Sequence, residues 1–140
     1  MNNKVSFQMQ WKSVEVKEDN TVEVEWWAST SDIDRYNDIV DPKAFSWAMD
    51  EYMENPVVLL QHDTEKAIGT IEDYKIKNKG LWVKAKITSN TDNVKKKITD
   101  KVLRWFSIGF IAKKWDFEQK DSEDVRIIKD LELLEISVVS

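Results

Sequence analysis

Arg104-Trp105-Phe106-Ser107-Ile108-Gly109-Phe110-Ile111 is an aromatic and β-branched run, uninterrupted by proline, with one small hydroxyl residue in its first half. It reads as a β-strand. Period-2 alternation sets Trp105, Ser107, Gly109 and Ile111 on one face and Phe106, Ile108 and Phe110 on the other. Ser107 therefore lies on a face that narrows to Gly109, and a glycine inside a strand marks a close approach by another group. On these eight residues alone, the plain reading of Ser107 is a polar residue on a half-buried strand, because a lone serine carries no catalytic signature.

Working outward, a charged turn from Glu118 to Asp124 leads to a last strand, Val125 through Val139. Within it, Leu133-Leu134-Glu135-Ile136-Ser137-Val138-Val139 embeds one carboxylate in an apolar run. A buried carboxylate is costly without a partner. A salt bridge from an arginine such as Arg104 and a role in a site explain Glu135 equally well. Upstream, Thr91 or Asp92 caps a helix with Val94, Ile98 and Val102 at fourfold spacing. Before it, Ala67–Ile71 and Leu81–Ile87 form a hairpin across Asn78-Lys79-Gly80.

Val57-Val58-Leu59-Leu60 is an unbroken apolar run, the pattern of a strand buried on both sides, and it ends at Gln61-His62-Asp63. His62 is the sole histidine. A histidine at a strand end is commonly structural, yet any imidazole chemistry in this chain must use it. Asp41-Pro42 offers a helix start, and Phe45, Ala48, Met49 and Tyr52 continue it as an amphipathic helix ending near Asn55-Pro56. The preceding Ser31–Asp38 segment is an Asp- and Asn-rich loop that lacks the central glycine and closing glutamate of a calcium loop. Val14 and Val16, then Val22, Val24 and Trp26, alternate around Lys17-Glu18-Asp19-Asn20 as a first hairpin.

Composition bounds the function. The 140 residues suit one domain spanning 1–140, with 41% hydrophobic residues and seven tryptophans to build a core. A net charge of -5 argues against a nucleic-acid surface or an anionic membrane. With no cysteine, disulfides, thiol catalysis and cysteine-based zinc sites are excluded. No apolar run approaches the roughly 20 residues of a membrane span, and Met1-Asn2-Asn3-Lys4 precedes no signal-type apolar core.

The chain thus holds one imidazole at the end of a core strand, one hydroxyl on a narrow strand face and one carboxylate in a core strand. These are the parts of a nucleophile, base and orienter relay. A serine hydroxyl needs a base to take its proton, and the base needs an acceptor to fix its tautomer. His62 and Ser107 lie 45 residues apart, and Ser107 and Glu135 lie 28 apart. Spacing permits their convergence without requiring it.

Resemblance adds what spacing cannot. Ala28-Ser29-Thr30, Asp34-Arg35-Tyr36-Asn37-Asp38-Ile39-Val40-Asp41-Pro42-Lys43-Ala44-Phe45, Leu60-Gln61-His62-Asp63 and Ala67-Ile68-Gly69 stand in order ahead of Lys79-Gly80-Leu81-Trp82-Val83. Phe106-Ser107-Ile108-Gly109-Phe110 and Leu133–Val139 complete the set, which resembles the caudovirus prohead serine protease family. The resemblance runs from about Val24 to the end of the chain. It implies a serine endopeptidase that trims capsid and scaffold proteins inside an assembling procapsid in the bacterial host cytoplasm. His62 would be its base, Ser107 its nucleophile and Glu135 its third member, with Asp63, Glu132 and Asp130 as competitors. It implies neither metal nor cofactor, and it leaves self-cleavage and a homo-oligomer open. The fold implied is mainly β with flanking helices: the closed, mostly antiparallel β-barrel of herpesvirus assemblin.

Family members continue past the last strand, where assemblin-type enzymes carry an oxyanion-stabilising group. An end at Ser140 leaves those donors to the backbone around Ser107, or marks a truncated or self-trimmed core. The alternative function is a non-catalytic β-barrel assembly module that binds capsid or scaffold protein through Trp26, Trp27 or Trp47. A tryptophan-rich carbohydrate-binding module fits less well, because a core would claim most of these tryptophans.

Overall fold

The structure, a computed structural model, describes residues 13–140. The reading of Met1–Lys4 lies outside them. The valine alternation produces the expected hairpin, with β1 (Ser13–Val16) antiparallel to β2 (Val22–Thr30). Asn20 turns the chain with a left-handed φ of 67°, and Val22 and Val24 are buried. The Asp-rich loop leads to a three-residue strand, β3 (Asp38–Val40), which periodicity was too short to reveal. Asp34 accepts the Tyr36 and Asp38 N–H groups at 2.8 and 3.0 Å, so this aspartate works as a turn residue. Asp38 takes a two-pronged ion pair from Arg126, at 2.9 and 2.8 Å.

Asp41 caps a 3-10 turn, Pro42–Ala44, that runs into α1 (Phe45–Tyr52). The helix buries Phe45, Ala48, Met49 and Tyr52, the four positions its spacing predicts. Tyr52 donates its hydroxyl to the Val57 carbonyl and so ties the helix to β4 (Val57–Leu60). The apolar run of β4 is explained by its central place. It is antiparallel to β5 (Asp63–Lys77) on one edge and parallel to β8 (Glu123–Val139) on the other.

A hairpin joins β5 to β6 (Gly80–Ile87), where Gly80 has φ 147° and a Cβ would stand 2.0 Å from the Ser29 carbonyl oxygen. Only glycine fits there. The second helix, α2 (Val94–Thr99), buries Val94 and Ile98, but Val102 lies beyond its end and is 57% exposed. Neither Thr91 nor Asp92 caps it; Asp92 has a left-handed φ of 52° and pairs with Lys66. From there the chain enters β7 (Trp105–Lys120), which pairs antiparallel with β8 around a two-residue turn, Asp121-Ser122, with both φ positive.

The expected closed barrel does not form. The strands make one sheet in the order β1-β2-β6-β5-β4-β8-β3, with β7 on β8, and among the described residues no ladder joins the two ends. The cause lies in β8. Its 17 residues lend one edge to β3 at Arg126–Ile128 and to β4 at Ile136–Val138, and the other edge to β7 along nearly its full length. Register shifts at Gly109/Phe110, Ala112/Lys114 and Lys114/Trp115 bend the β7–β8 ribbon. Lys113–Lys120 are all exposed while Val125, Ile127 and Ile128 opposite them on β8 are buried, so β7 is the outer strand of the ribbon and, among the described residues, pairs with β8 alone. Phe45, Met49, Ile68, Leu81, Ile98, Phe106 and Ile136, all under 2% exposed, anchor the core between the sheet and the helices.

Candidate active site

The site is organised by β8. Antiparallel pairing sets Ser107 opposite Ser137 and Gly109 opposite Glu135, and directly opposed residues project from the same face. On the other edge of β8, the parallel partner β4 sets Leu59 beside Ser137 and Leu60 beside Val138. Two residues later the chain reaches His62. The imidazole and the Ser107 hydroxyl thus flank one strand, on neighbours about 9–10 Å apart, twice the interstrand spacing. Glu135 and Ser137 lie between them.

His62 is held in an uncommon backbone conformation. Gln61 and His62 form a two-residue turn with φ 52° and 61°, both left-handed and neither glycine. The Gln61 N–H donates to the Val138 carbonyl at 2.9 Å, and the His62 N–H donates to Ser137 Oγ at 3.0 Å. Gln61 also exchanges side-chain hydrogen bonds with Ser140, at 3.1 and 3.3 Å. Each bond fixes the turn to the end of β8, which aims the ring back over that strand.

The ring meets Glu135, with His62 Nδ1 2.5 Å from Oε2. The carboxylate side chain is 16% exposed and the imidazole 44%. Glu135 is therefore partnered by His62. Arg104 instead donates its Nε to the Lys101 carbonyl. The other carboxylate oxygen, Oε1, accepts the Ser137 hydroxyl at 2.6 Å. Two donors on two oxygens fix the carboxylate plane. With Nδ1 facing the acid, Nε2 is the nitrogen left to exchange a proton with a hydroxyl.

Gly109 is the floor beneath this pair. A Cβ there would stand 2.3 Å from Glu135 Oε2. The close approach implied by a glycine in the Ser107 strand is therefore made by the Glu135 carboxylate. The structure brings His62 and Glu135 into contact and sets Ser107 on the opposite flank of β8, without a hydrogen bond between Ser107 and His62.

The competitors lie elsewhere. Asp63 accepts the Glu65 N–H at 2.9 Å, Asp130 stands opposite Lys114 and Glu132 opposite Ile111. Ser137 is the member that single residues in the sequence did not single out. The signal was present, since Glu135 and Ser137 are two polar residues spaced i, i+2 in an otherwise apolar strand. Ser137 is fully buried and its proton is already given to Glu135, whereas Ser107 is partly accessible. Of the two facing serines, Ser107 is the accessible one. Behind the site, Tyr52 has its phenol pushed well above the ordinary tyrosine range, first by burial and further by the Glu135 charge.

Fold and site together define a class: a mostly antiparallel sheet in which one strand carries a carboxylate, with an imidazole bound to it from one neighbour and a serine on the other. Comparison with known proteins narrows this. The family model described as caudovirus prohead serine protease matches residues 8–140, and the chain belongs to that family. The prohead protease of Escherichia phage T5 is 37% identical over 125 residues, which cover 87% of this chain. The chain spans about 59% of the length of that curated relative. The structure of the bacteriophage T4 capsid assembly protease superposes with a TM-score of 0.63, covering 94% of this chain and 93% of that one at 13% identity. That likeness is one of fold.

Proposed function

We propose that this chain is a serine endopeptidase that processes capsid and scaffold proteins during prohead maturation, by a relay of Ser107, His62 and Glu135. The observation that carries the reading is the 2.5 Å contact of the sole histidine with Glu135, on the strand that pairs with Ser107. Family membership and the printed names of the two similar proteins support the substrate class and an assembling procapsid in the host as the place of action. Among the described residues no helix is long and apolar enough to cross a membrane.

In the reaction, Ser107 Oγ attacks the scissile carbonyl carbon while its proton passes to His62 Nε2. Glu135 stabilises the imidazolium through Nδ1. Collapse of the tetrahedral adduct breaks the C–N bond, and the same proton goes to the departing amine. Water, deprotonated by His62, then cleaves the acyl ester and restores the serine.

One observation favours the assembly-module alternative: Trp47 on α1 is 71% exposed. Trp26 packs against the core and Trp27 is half-buried near Lys79, so neither offers a free docking face. The two readings separate when the chain is incubated with procapsid shells built from the phage's own capsid and scaffold proteins. The protease reading expects cuts, mapped by mass spectrometry, that vanish in Ser107→Ala. Binding without any cut by the wild-type chain would support the module and refute the protease.

A further inference from the structure

The relay accounts for Ser107, His62 and Glu135, but leaves unexplained why a serine, and not another valine or isoleucine, stands fully buried at position 137. Its hydroxyl has one proton and two lone pairs. The proton goes to Glu135 Oε1 at 2.6 Å, and one lone pair takes the His62 peptide N–H at 3.0 Å. A single oxygen thus bonds to the base and to the orienter at once, by a route independent of the ring-to-carboxylate contact.

We infer that Ser137 is a positioning residue that fixes Glu135 and His62 relative to each other through its hydroxyl. Without it, Glu135 would keep one donor and could rotate about its terminal torsion, which is broad for a carboxylate. The left-handed His62 would lose the acceptor that satisfies its N–H. A left-handed non-glycine residue is strained and persists only where its surroundings hold it. Gln61 has its own tie to Val138, so the loss at Ser137 falls on the histidine itself.

This inference rests on the reading of His62 and Glu135 as base and orienter. The test compares Ser137→Thr, which keeps the hydroxyl, with Ser137→Val, which has nearly the same shape and none, and with Ser137→Ala. The first readout is phosphonylation of Ser107 by a fluorophosphonate, in which Oγ bonds phosphorus and fluoride leaves, resolved into binding and rate constants. Misplacement of about 1 Å in a catalytic constellation can cost about 10²-fold, so the Val and Ala variants should react up to about 10²-fold more slowly with unchanged probe affinity, and Thr should stay within a few-fold of wild type. The second readout is the Nδ1 proton of His62, assignable because the chain has one histidine. Its downfield resonance should persist in Thr and move upfield or vanish in Val and Ala. A folded Ser137→Val variant with wild-type phosphonylation and an unchanged resonance would overturn the inference. Unfolding of both Val and Ala, seen by circular dichroism, would also count against it, by making Ser137 a folding residue. Failure of the probe to phosphonylate Ser107 of the wild-type chain would instead refute the underlying reading of the site.

Discussion

Gly109→Ala separates positioning from folding in one substitution. The added Cβ would lie 2.3 Å from Glu135 Oε2, 3.1 Å from Cδ and 3.3 Å from Cγ. Contacts under 3.0 Å are essentially never seen for a Cβ, so the carboxylate must retreat by about 0.7 Å or more. The backbone has no reason to move, because the atoms in the way are the far end of one side chain. That end is the oxygen 2.5 Å from His62 Nδ1, so the retreat lengthens or breaks the contact that would orient the proposed base. Misplacement of about 1 Å in a catalytic constellation can cost about 10²-fold in rate. That equals about 2.7 kcal/mol of transition-state stabilisation, at 1.36 kcal/mol per tenfold. Stability moves the other way or stays level, since glycine within a strand costs roughly 0.5–1 kcal/mol against alanine. Paired urea denaturation and peptide-cleavage kinetics measure both. The expected result is a midpoint at or slightly above wild type with kcat reduced about 10²-fold. Wild-type kcat, or loss of activity in proportion to loss of folded protein, would refute the proposed role of the Gly109 floor.

Arg126→Met strands the Asp38 carboxylate, whose side chain is 9% exposed, and breaks the ion pair that fastens β3 to β8. Because Arg126 keeps 33% exposure, the cost should fall near the lower end of the buried-pair range, about 3 kcal/mol, and Asp38→Asn in the same chain should recover part of it in urea melts. Phe45→Ala empties a fully buried position and should cost about 3–5 kcal/mol, measured the same way. Tyr52 is raised above the ordinary phenol value of about 10. Its contribution to stability is therefore full below that pH and is lost as pH rises through the folded value. The difference between wild-type and Tyr52→Phe absorbance titrations at about 295 nm should place the Tyr52 step above the ordinary range, and a Tyr52 step at pH 10 or below would contradict the burial of its hydroxyl.

The elements that sequence made legible are those with strong periodicity. The Phe45–Tyr52 helix, the unbroken Val57–Leu60 run and the two hairpins all form where alternation or fourfold spacing pointed. The three-residue β3 and the placement of Val102 outside α2 were not legible, because one partner strand and one helix end decide them. Closure of the sheet was not legible either. It depends on β8 spending both edges on β3, β4 and β7, a long-range count that no local pattern records. At the site, the chemistry of single residues pointed to His62, Glu135 and Ser107, and Gly109 announced a close approach. The link between the first two through Ser137 came only with register, because the i, i+2 spacing acquires meaning when His62 is seen beside the strand.

The most direct test of the account is a peptide map of the native chain after reaction with a fluorophosphonate, with His62→Ala and Ser107→Ala beside it. The account predicts one adduct, on Ser107, that is absent from Ser107→Ala and forms orders of magnitude more slowly in His62→Ala. An adduct on another residue, or labelling of Ser107 at the wild-type rate without His62, would contradict it.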